Sequence, residues 1–354
     1  WGASTYSGRS GITPTQTPNP TLQWEQTQEV TLGLDYELFN SRVTGSIDYY
    51  QKTTDDLLLD LNVPATTGFL DQTRNVGEVE NTGVEFLVET QNVTDPFEWS
   101  SNFNISFNRN EVTDLNGQVL TGGFVNQARE GEPLGVFYAL EYAGVDPENG
   151  DALYFVNEEN ENGEIVDPDA TTNDPNAANR VVLGSPQPDF TGGFGNTFGY
   201  GGLELRVLFQ FSYGAEIFDG GGEFKTANGR FRDNQHISQL DAWEEPGDQT
   251  DVPEPRLFVN NGAAESSRYL YDGSYLRLKN VRLSYDLPTR LVQDLSITSA
   301  RIFVTGQNLL TFTDYRWWDP EANADAFSGN IGFGNEFYTA PQTRSVTGGL
   351  RLSF

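Results

Sequence analysis

Arg344-Ser-Val-Thr-Gly-Gly-Leu-Arg-Leu-Ser-Phe354 closes the sequence. Val346, Gly348, Leu350, Leu352 and Phe354 fall on one side of an extended backbone. Thr347, Gly349, Arg351 and Ser353 fall on the other, because successive side chains of a strand alternate faces. The stretch predicts a strand with one greasy face and one wet face, ending on an aromatic residue. A soluble sandwich also makes such an alternation once. Repeated strand after strand, and closing on a terminal Phe, it points to a barrel whose outside meets lipid and whose inside meets water.

Working outward, the pattern does repeat. In Ala300–Thr313 and Tyr275–Leu287 it recurs, the latter with Val281, Leu283, Tyr285 and Leu287 on one side. Leu276 and Leu278 lie out of phase with that set, which predicts either a bulge near Lys279 or exit from the membrane. Phe190–Tyr200 and the Leu203–Tyr213 stretch alternate cleanly across a Gly201-Gly202 turn. Further back, Trp24–Leu38, Arg42–Thr54, the Val84–Val88 stretch and Phe97–Asn108 do the same. Connections alternate between short (Asn40-Ser41, Asn92–Pro96, Gly201-Gly202) and long (57–78, 109–188, 214–273, 314–342), as brief periplasmic turns and long outer loops would. Residues 1–22 read as the tail of a loop, and Pro288–Leu295 as one helical turn on the short-turn side. An even number of strands must lie between 108 and 190. The expectation is a hairpin above the membrane, Leu134–Val145 against Ala152–Val156. Phe39, Trp99, Tyr200, Tyr285 and Phe354 sit beside short turns or the terminus, the depth that amphipathic rings prefer. The fold expected is all-β: an antiparallel up-and-down transmembrane β-barrel, partial, of about ten strands with long extracellular loops.

Composition narrows the function classes. Of 354 residues only 36% are hydrophobic, and mean hydropathy is -0.50. No apolar run approaches the roughly 18 residues of a membrane helix, a test that barrels pass unseen because half of each strand is polar. Lys+Arg is 21 against Asp+Glu 51, a formal charge of -30, so nucleic-acid binding is excluded as a partner class: nothing here neutralises phosphates. Lysine occurs only at Lys52, Lys225 and Lys279. An acidic, lysine-poor surface suits a high-salt, halophilic habitat, where repulsion is screened. Cysteine is absent and His236 is the single histidine, so disulfides, thiolate sites and multi-His metal sites are out. The sequence starts at Trp1 without a charged and apolar leader, which reads as the carboxy-terminal part of a longer protein.

Nine blocks resemble one family in order along the chain. They are Leu22-Gln-Trp-Glu-Gln-Thr27, Thr44-Gly-Ser-Ile-Asp-Tyr-Tyr50, Thr54-Asp-Asp-Leu-Leu58, Thr67-Gly-Phe69 and Asn75-Val-Gly-Glu-Val-Glu-Asn-Thr-Gly-Val-Glu-Phe86. Glu130-Gly-Glu-Pro-Leu-Gly-Val-Phe-Tyr138, Gly184-Ser-Pro-Gln-Pro-Asp-Phe190, Tyr275-Leu-Arg-Leu-Lys-Asn-Val281 and Thr305-Gly-Gln-Asn-Leu-Leu-Thr-Phe-Thr-Asp-Tyr315 follow. Together they are similar to the SusC/RagA family of TonB-dependent outer-membrane transporters. The resemblance implies that residues 1–354 are the carboxy-terminal part of a plugged barrel of about 22 strands, with the plug domain and first barrel half absent. It further implies a multi-pass protein of the cell outer membrane, in contact with outer-membrane lipid. Such a protein imports oligosaccharides or peptides with a SusD-like surface lipoprotein and a TonB complex.

No catalytic constellation emerges, so the chain is not expected to be an enzyme. Adjacent acids such as Asp55-Asp56 and Glu244-Glu245 mean little among 51, and His236 reads as a solvated loop residue. Trp243, Tyr269, Tyr271, Trp317 and Trp318 lie in loops, where aromatic rings stack on sugars, pin a loop or face a lid protein. Family members often carry an Asp/Asn-Gly-Asp-Gly-like stretch that suggests calcium. The corresponding segment here, Asn157–Asp167, offers Glu159, Glu161 and Asp167 in a degenerate pattern; apart from this calcium no cofactor is expected. Two other readings stay open: a self-contained passive porin of about ten strands, and a secreted carbohydrate-binding β-sandwich with Phe194, Phe198, Phe209 and Phe211 in a dry core.

Overall fold

Period-two stretches need partners for their backbone N–H and C=O groups, and they find them next door in sequence. In the computed structural model, which describes residues 2–6, 8–14, 17–291, 297–321, 323, 324 and 331–354, nine strands join one antiparallel sheet. They are β1 (Gln26–Leu38), β2 (Val43–Asp55), β3 (Glu78–Val93), β4 (Phe97–Asp114) and β5 (Phe190–Tyr200). β6 (Leu203–Tyr213), β7 (Tyr275–Asp286), β8 (Ser299–Thr313) and β9 (Ser345–Ser353) complete it. Each strand pairs with its predecessor and successor in sequence, so the sheet is a nine-strand meander with β1 and β9 at its edges.

Register shows that the greasy faces line up. Leu34, Ile47, Phe86, Ile105, Gly192, Phe211, Leu276 and Phe312 lie opposite one another from β1 to β8. The other face carries a row through all nine strands: Glu37, Thr44, Glu89, Asn102, Gly195, Leu208, Asn280, Gln307 and Ser345. The phase conflict in β7 resolves as a bulge. Leu208 faces Asn280 while Phe209 faces Leu278, so Lys279 is the extra residue. It returns Leu276 and Leu278 to the same face as Val281 and Leu283.

All long connections leave one end of the sheet and all short ones the other. At the short end Gly201 and Gly202 adopt φ of 58° and 86°, the positive pair that a two-residue hairpin requires. Within the sheet, Gly83 lets the Tyr50 ring lie flat across it: a Cβ there would sit 2.4 Å from the ring. The Tyr50 hydroxyl then donates to Asn108 Oδ1 at 2.8 Å.

Several expectations change. The connection 57–78 holds its own hairpin, Leu58–Asn62 with Asp71–Asn75, and the loop tail at 1–22 contains the hairpin Gly2–Tyr6 with Arg9–Thr13. Between β4 and β5 the expectation holds: the two pair directly, and no strand of the connection enters the main sheet. Val136–Leu140 and Tyr142–Val145 belong to separate small sheets, of which the second pairs with Ala152–Phe155. After β7, a 3-10 turn covers Thr289–Leu291; the rest of the expected turn, from 292, lies outside the described residues.

The packed interior lies in the loops rather than under the sheet. Of the buried apolar side chains, only Val79, Val112 and Ala300 belong to the nine strands. Three clusters built around Phe137 and Phe218, around Val112 and Leu115, and around Leu140 and Tyr154 make a loop domain above the long-connection end. Ile105, Leu205, Phe209 and Leu352 join none of them. Leu32 and Leu34 are 68% and 62% exposed and Val346 72%. The sandwich reading fails on this point, because Phe194, Phe198, Phe209 and Phe211 face no second layer of protein.

Lipid on that face has an energetic consequence. With lipid on that face, Phe194→Arg, mid-strand in β5, should destabilise the folded sheet by about 2–4 kcal/mol. Thr347→Arg on the wet face should stay within about 0.5 kcal/mol. Urea midpoints of the protein folded into lipid vesicles measure both, and equal costs would contradict the assignment of faces.

Candidate functional site: the outer loop domain

Arg277 and Lys279 alternate onto the wet face of β7 near its loop end. The 314–344 connection returns to meet them with acids at the same spacing, Asp319 and Glu321. Arg277, 2% exposed, engages both Asp319 oxygens and lies 3.0 Å from Glu321 Oε2. Lys279 Nζ donates to Glu321 at 3.1 Å. Burial alone would raise the Asp319 carboxyl; the Arg277 guanidinium and the backbone N–H groups of Glu321 and Gln342 outweigh it and hold it below the usual range. A charge taken out of water in this way needs a full set of partners.

A second ionic latch sits farther out. Glu216–Asp219 pairs with Leu270–Asp272 and, in parallel, with Asn335–Glu336. Phe218 N donates to Gly334 O and Gly220 N to Glu336 O, both at 2.9 Å. Asp219 and Glu336 therefore lie side by side, 0% and 4% exposed. Lys225, at the end of the short helix Gly222–Lys225, reaches Asp219 Oδ2 at 2.8 Å and Glu336 Oε2 at 3.6 Å. Burial pushes the Asp219 carboxyl up to about 7; Glu336 pushes the same way, against the pull of Lys225. Two carboxylates and one ammonium in a dry site favour keeping one proton.

The Lys225 ammonium also lies 3.8 Å from the centre of the Trp317 ring, a cation–π contact. His236 and Tyr271 meet Trp317 edge-on at 4.9 and 6.1 Å, and the Arg316 guanidinium lies 4.8 Å over Tyr271. Burial pushes the Tyr271 hydroxyl up to about 12. Of the five loop aromatics, then, Tyr271 and Trp317 come together, lining one cavity. Trp318 stands apart, 66% exposed. Tyr269 is buried in the loop core with its hydroxyl donating to Gly262 O, and Trp243 is buried with Nε1 donating to Pro147 O. His236 caps the turn Ile237–Asp241 by accepting from Ser238 N.

Glu159, Glu161 and Asp167 are exposed around a tight turn. Asn160 closes that turn: its Oδ1 accepts from the N–H groups of Asn162 and Glu164, and its Nδ2 donates to Glu164. Among the described residues no three acidic or His side chains are grouped to hold a metal ion. Sequence reasoning missed Arg277, Asp319, Lys225 and Asp219. The matching i, i+2 spacing of Arg277/Lys279 and Asp319/Glu321 was the available signal.

The family described as TonB dependent receptor-like, beta-barrel matches residues 2–309. TonB-dependent receptor P3 of Formosa agariphila is 36% identical over 98% of this chain and 36% of its own length. TonB-dependent receptor SusC of Bacteroides thetaiotaomicron is 27% identical over 86% of this chain and 30% of its own. The solved RagAB peptide transporter superposes with a TM-score of 0.84 at 28% identity, covering 100% of this chain and 38% of that one. The chain thus spans about a third of these relatives' length.

Two outcomes follow for the latches. Arg277→Ala strands Asp319 without its counter-charge and should loosen the 314–344 connection by about 3–5 kcal/mol, read as faster hydrogen exchange there with β5–β6 unchanged. At the outer latch Asp219 has its carboxyl raised from the usual 3.8 to about 7. Its stabilising contribution is full below the usual value and is lost as pH climbs through about 7. Exchange protection at Phe218 and Gly220 should fall across that window beyond the intrinsic rate, and Asp219→Asn should flatten the dependence.

Proposed function

The chain belongs to the TonB-dependent receptor-like β-barrel family, and from that premise we propose that it serves active import across the outer membrane as part of a SusC-like transporter. It is an outer-membrane β-barrel protein. In this reading it contributes the carboxy-terminal strands and outer loops of a larger barrel, whose plug and first strands lie elsewhere in the protein. The cargo is an oligosaccharide or peptide, a SusD-like surface lipoprotein covers the loop domain, and a TonB complex supplies energy through the plug. The chain itself performs no chemistry on the cargo.

The observation that carries this reading is the division of labour in the fold. A sheet with one uncovered apolar face stands below a packed loop domain, and that domain is anchored to the wet face by Arg277 and Asp319. A passive pore has no need of so much folded mass over its mouth. The self-contained porin also meets a parity obstacle: β1 and β9 run the same way, so closing nine strands on themselves would require one parallel pair in an otherwise antiparallel meander.

Energised uptake separates the two. Cells expressing the whole receptor should take up its nutrient only while TonB is present, and the purified chain in liposomes should not release entrapped small solutes. Steady leak through the chain alone, with uptake indifferent to TonB, would establish the porin instead.

A further inference from the structure

A cavity of about 580 Å³ opens in the loop domain beside Tyr271, Arg316 and Trp317, within the ~300–1,000 Å³ range of small-ligand pockets. We propose that it binds a carboxylate-bearing sugar, a hexuronate-type unit of an oligosaccharide, with the Arg316 guanidinium on the carboxylate. This deepens the import reading above and rests on it.

Arg316 carries the argument. It is exposed, and it forms no ion pair among the described residues, although the sequence holds 51 acids. Its guanidinium carbon lies 4.8 Å from the centre of the Tyr271 ring. That cation–π contact holds the guanidinium at the cavity, and its N–H fork matches the two oxygens of a carboxylate. Arg268 adds positive charge to the same cavity while its own N–H groups hold the carbonyls of Thr226 and Gly262.

The rest of the lining selects the remainder of the ligand. Asp241 and Asp251 border the cavity on another segment, where Thr250 Oγ1 donates to Asp241 O and the Tyr142 hydroxyl to Asp251 O. Carboxylates there repel the ligand's own charge and accept from hydroxyl groups, so the sugar acid is oriented with its carboxylate toward Arg316. Ser238, Gln239 and Thr250 add neutral polar groups. Aliphatic side chains in the lining are limited to Ala143 and Val252, too little for the apolar side chains of a peptide. A polyhydroxylated anion fits better.

Titration calorimetry on the full-length receptor in detergent tests this with two probes, tetragalacturonate and its methyl ester, which keeps the rings and removes the charge. The acid should bind at least tenfold tighter than the ester. Arg316→Gln should bring the acid down to the ester's affinity, and Arg316→Lys should recover part of the difference, charge without the fork. An unchanged thermal midpoint certifies each variant's fold. Equal affinity for acid and ester, no binding of the acid, or a preference that survives Arg316→Gln would each overturn the site. If cells with the Arg316→Gln receptor keep TonB-dependent uptake of a neutral oligosaccharide while the charge preference fails, only this site is lost. If TonB depletion leaves all uptake unchanged, the import reading itself has failed.

Discussion

A backbone that runs beside hydrocarbon has no water to satisfy its polar groups, and this constraint shapes the sheet. Every strand between the edges pairs on both sides, and each pairing is with the nearest strand in sequence. Polar side chains on the greasy face answer to the same rule. Asn196 shares that face with Phe194 and Phe198, and its Oδ1 accepts from Trp99 Nε1 at 3.0 Å and Ser101 Oγ at 2.8 Å. Ser101 in turn accepts from Asn92. These bonds link the polar groups to one another on that face. The Lys279 bulge belongs to the same logic: without it, half of β7 would present Arg277 to hydrocarbon and Leu276 to water.

The loop domain obeys different physics. It is wet outside and has room for a core, so it folds by burial, with Phe137, Phe218 and Tyr269 at its centre. It is fixed over the sheet by the cluster that includes the strand residues Val79 and Val112 and by charge. Arg277 on β7 holds Asp319 and Glu321 of one returning segment, whereas Lys225 in the loops gathers Asp219 and Glu336 from segments far apart in sequence. In a chain of formal charge -30, a buried cation among acids is the cheapest way to hold two acidic segments together, because each carboxylate left alone would repel the other. The two latches share the 314–344 connection, which is therefore held both to the barrel wall and to the outer sheet.

The strands were legible in the sequence because their signal is local. Phe190–Tyr200 and Leu203–Tyr213 appear with their bounds as read, and the phase flip between Leu278 and Val281 announced the bulge. Most of what the loops do was not legible. Val136–Leu140 pairs with Arg180–Gly184, forty residues on, and no periodicity names such a partner. Nor does sequence distinguish an aromatic that packs from one that waits for a ligand. Tyr269 and Tyr271 are two residues apart, yet one is sealed in the core and the other lines a cavity. Arg277 and Lys279 read only as members of a wet face, since pairing with Asp319 and Glu321 depends on where a connection returns after leaving the barrel.

Parity presses hardest on the edges. Strand direction alternates along the meander, so β1 and β9, an even number of steps apart, both run from the loop end toward the short turns. Nearly every residue of both is exposed, and each edge presents a row of unpaired N–H and C=O groups. In water such an edge invites aggregation; in lipid it costs several kcal/mol for each unsatisfied group. Direct closure would pair them in parallel, against the antiparallel habit of every other contact in the sheet. Any antiparallel completion must therefore insert an odd number of strands between β9 and β1. A full barrel with an even total satisfies this, since an even number less nine is odd. The apolar rows of β1 and β9, Val30 to Leu34 and Val346 to Leu352, are already in phase to continue into such neighbours, with greasy residues outward on both.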